Sequence, residues 1–167
     1  GLEMQILMSM VDHVVSTHPR VGGPLFAIGL SAGGSMALSL ALRHPERFAA
    51  VGSHSGAAPS SATTTLQAGQ AMRGRRSPDA EALALRLQGR RLPPLVLIHG
   101  DLDPMVSIEN ARASAGLWLE LLPDDVVARE TSTEVRRGSR RGLTRSDWKT
   151  GRKPYVRLLR VHGLSHA

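Results

Sequence analysis

Cysteine is absent from the 167 residues, which excludes disulfides within them and removes the thiolate ligands of a structural zinc site. Aromatic residues amount to 3% of the chain, two Trp, one Tyr and two Phe, so little is available to stack on nucleobases. Lysine is nearly missing: Lys149 and Lys153 are the only two, and the net charge of +7 is carried almost wholly by arginine. No apolar run is long enough to span a bilayer, and the first residues have no signal-peptide pattern. Internal repeats are absent, as is the spacing G-x-G-x-x-G of a dinucleotide loop. The seven histidines show no metal-ligand spacing, so neither metal nor cofactor is expected.

The arginines gather at Arg73-Gly74-Arg75-Arg76, Arg90-Arg91 and Arg136-Arg137-Gly138-Ser139-Arg140-Arg141. These clusters sit in polar, Gly/Ser-rich connections without interleaved aromatics. Solvated loop arginines account for them better than a nucleic-acid surface does. A basic surface can still attract anionic polymers or acid products.

What the chain does contain is Gly29-Leu30-Ser31-Ala32-Gly33-Gly34 between two readable segments. Pro24-Leu25-Phe26-Ala27-Ile28 before it is short and apolar and follows the turn signal Val21-Gly22-Gly23-Pro24. Ser35 to Leu42 after it carries small and apolar residues at helical spacing. Strand, sharp turn with a serine at the tip, then helix is the context that a G-x-S-x-G nucleophile elbow needs. Gly29 and Gly33 lack a Cβ, which lets strand and helix approach while the serine backbone is strained. Ser31 is the candidate nucleophile, and the backbone N–H of Ala32 the candidate oxyanion donor.

Such a serine needs a base, and the base an orienting carboxylate. Leu95-Val96-Leu97-Ile98 reads as a fully buried strand, entered through Pro93-Pro94 and closed by His99-Gly100. Asp101-Leu102-Asp103-Pro104-Met105-Val106 follows, at the sheet edge to which an elbow also points. Tyr155 to Val161 reads as another strand, followed by His162-Gly163-Leu164-Ser165-His166. Asp103 is preferred as the acid over Asp101, whose alternative is to cap the turn. His166 is preferred as the base over His162, which ends its strand and points into packing or solvent. His99 reads as a strand-end histidine bonded to a neighbouring loop, and His13, His18, His44 and His54 as scattered.

Taken together these residues resemble the poly(3-hydroxybutyrate) depolymerase family of esterases, in the α/β-hydrolase superfamily with feruloyl and acetylxylan esterases. The likeness runs along nearly the whole chain. It includes the elbow, Ala41-Leu42-Arg43-His44-Pro45-Glu46-Arg47-Phe48, His54-Ser55-Gly56, the loop His99 to Val106, Asn110-Ala111 and the closing Gly163-Leu164-Ser165-His166-Ala167. It implies nucleophile, acid and base at Ser31, Asp103 and His166, an acyl-enzyme, and no cofactor. The implied substrate is a polyester of hydroxyalkanoate or its oligomers, with feruloyl or acetyl sugar esters as the alternative. Many members are secreted, which implies an extracellular enzyme.

The family's upstream strands, its first oxyanion-hole loop and its Trp- and Gly-rich stretch after the histidine have no counterparts here. Residues 1–167 are therefore expected to be one partial α/β-hydrolase domain, mostly parallel, missing the N-terminal strands. Losing one oxyanion donor costs on the order of 10²–10³ in rate, so a catalytically incomplete, hydrolase-like fragment is the second reading. A basic nucleic-acid module is the third, and oligomeric state has no sequence signal.

The remaining punctuation predicts helices over 2–15, from the elbow to Arg43, around Leu83, Leu85 and Leu87, and over 108–122 with Trp118 in the core. A strand is predicted over 48–52 and a polar surface excursion over 57–78. The polar segment 128–153 is expected to hold a hairpin around 138–142.

Overall fold

Short β-rich apolar segments with Pro or Gly at their entrances become the parallel centre of one sheet. The computed structural model describes residues 2–18, 22–62, 64–136 and 138–166. Helix α1 (Leu2–Thr17) precedes strand β1 (Phe26–Leu30), α2 (Ala32–Arg43), a 3₁₀ turn (Pro45–Arg47) and β2 (Ala50–His54). Helices α3 (Thr65–Met72) and α4 (Ala80–Leu87) lead to β3 (Leu95–Gly100) and α5 (Glu109–Glu120). The chain then forms β4 (Arg129–Val135), β5 (Leu143–Lys149) and β6 (Pro154–Val161). The six strands lie in the order β1-β2-β3-β6-β5-β4, parallel from β1 to β6 and antiparallel beyond it.

Packing on one face follows the period of two. Ala27, Val51, Leu95, Leu97, Val156 and Leu158 alternate inward and are buried with Leu38, Ala41 and Trp118. The helices α2 and α5 supply those partners, α2 over β1 and β2, α5 over β3 and β6. Trp118 is fully buried, as expected, and its indole N–H donates to the Pro93 carbonyl at 2.9 Å.

Two expectations about strands are corrected by this packing, and the faces of two helices become known. The strand 95–98 is not buried on both faces: Val96 is 38% exposed, and Phe26 (59%), Ile28 (80%) and Leu30 (49%) on the edge strand β1 are exposed too. The strand expected at 48–52 is shifted to 50–54, because its pairing begins at Ala50 opposite Phe26 on β1 and at Val51 opposite Leu95 on β3. In α1 the apolar stripe Leu2, Ile6, Leu7, Met10, Val14 and Val15 faces outward, and Met8 is the residue that is buried. In α4, Leu83 and Leu87 lie on one face and are buried, whereas Leu85, two residues along, is 75% exposed.

The excursion at 57–78 is not wholly a polar surface. It contains α3, started by the Thr64 hydroxyl, which accepts from Gln67 N–H at 3.2 Å, and it buries Ala71. Part of the arginine is structural rather than merely solvated: Arg76 donates to the Ser61 carbonyl (2.7 Å), Arg90 to the Leu87 carbonyl (3.0 Å) and Arg141 to that of Gly163. The hairpin is present as β4–β5, with Gly138 in the left-handed region at φ 60°. Pro19 and Val21 of the helix stop and turn signal, Arg137 of the third arginine cluster and Ala167 of the closing motif lie outside the described residues. Among the described residues no helix is long and apolar enough to cross a membrane.

Candidate active site

The elbow forms where a strand and a helix are forced into contact. A Cβ on Gly29 would lie 2.1 Å from the backbone of Gly33, so only glycine fits there. Gly33 itself faces open space, so its missing Cβ is not what permits the approach; that expectation is corrected. Ser31 sits between β1 and α2 at φ 53°, ψ −120°, a conformation that costs a side-chain-bearing residue about 1–3 kcal/mol. Its N–H donates to the His54 carbonyl at 2.8 Å, which anchors the turn to β2. Ala32 opens α2, where helix N–H groups have no intrahelical partner and the dipole favours negative charge.

Asp103 follows β3 with its side chain fully enclosed. Its Oδ1 accepts from the backbone N–H of Met105 (2.9 Å) and Val106 (2.8 Å). Burial pushes its acidity towards a higher pKa. The bonds from Val106, His166 and Met105 outweigh that, and the carboxyl is held below its ordinary range.

His166 follows β6. Its Nδ1 lies 2.8 Å from Asp103 Oδ2 and its Nε2 3.0 Å from Ser31 Oγ. The structure therefore brings Ser31, His166 and Asp103 into one hydrogen-bonded series. Two further contacts hold the loops of Asp103 and His166 together. Asp101 Oδ1 accepts from Gly163 N–H at 2.7 Å, and Leu102 N–H donates to the Leu164 carbonyl at 3.1 Å. Asp101 is thus more than a local cap: it ties down the turn that carries His166. The loops approach so closely that a Cβ on Gly100 would lie 2.1 Å from the Leu164 oxygen.

The other histidines are distributed as follows. His162 lies 2.8 Å from Thr144 Oγ1 and 3.6 Å from Glu134, engaged with the hairpin rather than with Ser31. His99 is buried with Nε2 2.8 Å from the Val106 carbonyl, the neighbouring-loop bond expected of it. His54 is not merely scattered. Its Nε2 is buried without a partner; burial, then the charge of His166, lower its pKa, while Asp103 opposes them. His54 ends its parallel strand, and that position is the one sequence signal that could have singled it out.

A cavity of about 320 Å³ opens beside Ser31. Its walls are mostly small side chains, among them Ser35 and Ser39 of α2, Ser61, and Ala71 of α3, with the longer Met72, and among the described residues no aromatic or charged group lines it. Among the described residues no three His, Asp or Glu side chains are grouped to hold a metal ion.

A parallel sheet with a strained serine between strand and helix, and an acid and a histidine in later strand-end loops, defines an α/β-hydrolase fold. The chain belongs to the family described as esterase PHB depolymerase, whose model matches residues 1–140. His166 lies beyond the matched stretch. Among solved structures, the acetyl xylan esterase from Aspergillus awamori is similar with a TM-score of 0.75 and 17% identity, over 98% of this chain and 61% of that one. Esterase PE8 is similar at a TM-score of 0.57 and 20% identity, over 98% of this chain and 52% of that one. Arabidopsis thaliana SOBER1 gives 0.54 and 19%, over 98% and 54%. The chain thus spans between half and two thirds of each of these structures. No curated protein matches the chain.

Proposed function

We propose that residues 1–167 act as one catalytic unit of a serine esterase, with Ser31 as nucleophile, His166 as base and Asp103 as the orienting acid. The observation that carries this reading is the series of 3.0 Å from Ser31 Oγ to His166 Nε2 and 2.8 Å from His166 Nδ1 to Asp103 Oδ2. Ser31 Oγ attacks the ester carbonyl and its proton passes to His166 Nε2. Asp103 keeps the other imidazole proton on Nδ1 and stabilises the cation that forms. The Ala32 N–H faces the developing oxyanion. His166 then protonates the leaving alcohol, giving an acyl-enzyme at Ser31, and activates the water that hydrolyses it.

Family membership supports a polyester or oligomer of 3-hydroxybutyrate type as the substrate, and the secretion of many members that the resemblance implies supports action outside the cell. The second reading, a short acyl ester of a sugar, is favoured by the small, hydroxyl-bearing walls of the cavity and by the name of the acetyl xylan esterase. The test compares release of acid from 3-hydroxybutyrate oligomers, acetylated xylan and a soluble acetate ester. Ser31→Ala should reduce turnover of whichever is cleaved by at least about 10⁴-fold. Turnover that survives this substitution would refute the assignment.

A further inference from the structure

His99 is the next-to-last residue of β3, its side chain is 1% exposed, and it has no place in the proton path above. A buried imidazole has to find partners for its nitrogens. Its Nε2 lies 2.8 Å from the Val106 carbonyl, which can only accept, so Nε2 carries the proton. The same N–H edge stands 3.4 Å from Asp103 Oδ2, too long for a full hydrogen bond but close enough for its dipole to favour the carboxylate. Val106 in turn donates its own N–H to Asp103 Oδ1 at 2.8 Å. One residue of the acid loop is therefore held at its carbonyl by His99 while its N–H holds Asp103.

The groups facing His99 are Asp103 on its own loop, His54 at the end of β2 and His166 after β6. Burial lowers the pKa of His99; the Val106 bond and Asp103 oppose this, and the two histidines add to it. The ring is kept neutral, with a single N–H to spend.

We propose that His99 is a positioning residue: its Nε2–H pins the Val106 carbonyl and so aims Asp103 Oδ2 at His166 Nδ1. This rests on the reading of Asp103 and His166 given under the proposed function.

The test uses His99→Leu, which removes the donor, and His99→Gln, whose amide N–H can reach the place of Nε2–H. With a cleaved ester, His99→Leu is expected to lower kcat by about 10²-fold at unchanged KM, the size of a small misplacement of a reacting group. His99→Gln should recover most of that loss. Proton NMR supplies a readout that does not need turnover: the far-downfield signal of the His166 Nδ1–H on Asp103 should be present in the parent and in His99→Gln and lost in His99→Leu. Should the Leu variant not fold, His99→Asn takes its place, because its amide stops short of Val106. A retained signal and kcat in the donor-less variant, or no recovery with Gln, would overturn the proposal. So would a ¹⁵N spectrum of the parent with the His99 proton on Nδ1. A parent without Ser31-dependent turnover but with the signal lost and regained as described would instead sink the esterase reading alone.

Discussion

Asp103 is a carboxylate that the folded chain needs ionised, since Met105 N–H, Val106 N–H and His166 all bond to it. Its folded pKa lies below the ordinary 3.8, so the unfolded chain binds a proton more readily than the folded one. The contribution to stability is therefore complete above the unfolded value and is lost as pH falls through the lower, folded one. The gap in unfolding free energy between the parent and Asp103→Asn should close as pH falls below 3.8. Above that it also follows His54 and His99, whose charged forms Asp103 favours, so the acid limb is the diagnostic one. Denaturant titrations at stepped pH measure this. Asp147, whose pKa is also lowered, is common to both chains and cancels for a distant site. A gap that stays constant as far down as both chains remain folded would contradict the assignment. The arrangement of Ser31, Asp103 and His166 was legible in the sequence because each of the three follows a strand, a local pattern. The place of His54 was not, because what brings it near Asp103 is the pairing of β2 with β3. His99 was read as bonded to the neighbouring loop, which by itself does not reveal how close it comes to Asp103.

At the level of elements, local and non-local information separate in the same way. The elbow is read correctly because Gly29, Ser31 and the helix after it are contiguous. Strand β4 is hard to read because all but one of its residues, Arg129 to Glu134, are exposed and no alternation survives at the outer edge. The α1 stripe misleads because helical spacing reveals a face but not which way it points. The antiparallel extension β6–β5 is secured by a pair that spacing also hides. Asp147, 4% exposed, accepts from Arg157 Nε at 2.6 Å and from its second guanidinium nitrogen at 2.9 Å, with Arg145 at 3.7 Å. Breaking a fully buried pair costs about 3–5 kcal/mol; Arg157 is one-third exposed, so Asp147→Asn should cost nearer 2 kcal/mol. Chemical denaturation would show it as a lower midpoint at unchanged slope. If the midpoint does not move, the pair is only a surface contact.

On the scale of the whole molecule, two surface properties oppose each other. Phe26, Ile28 and Leu30 on the edge strand β1 and Val96 on β3 leave an apolar sheet face open, and the outward stripe of α1 is a second exposed apolar surface. Parallel sheets are normally covered on both faces, and exposed strand edges invite pairing. Against this stands a net charge of +7, which keeps copies of the chain apart by repulsion that salt screens over about 8–10 Å. The chain of residues 1–167 should therefore self-associate more as salt is raised, the reverse of an assembly held by ion pairs. Replacing Phe26 and Ile28 by serine should suppress the association, and with it the binding of a hydrophobic dye, while the far-UV circular dichroism is unchanged. Sedimentation velocity at low and high salt measures it. Association that weakens with salt, or that is indifferent to the two substitutions, would place the contact on the charged hairpin side of the sheet instead of at β1.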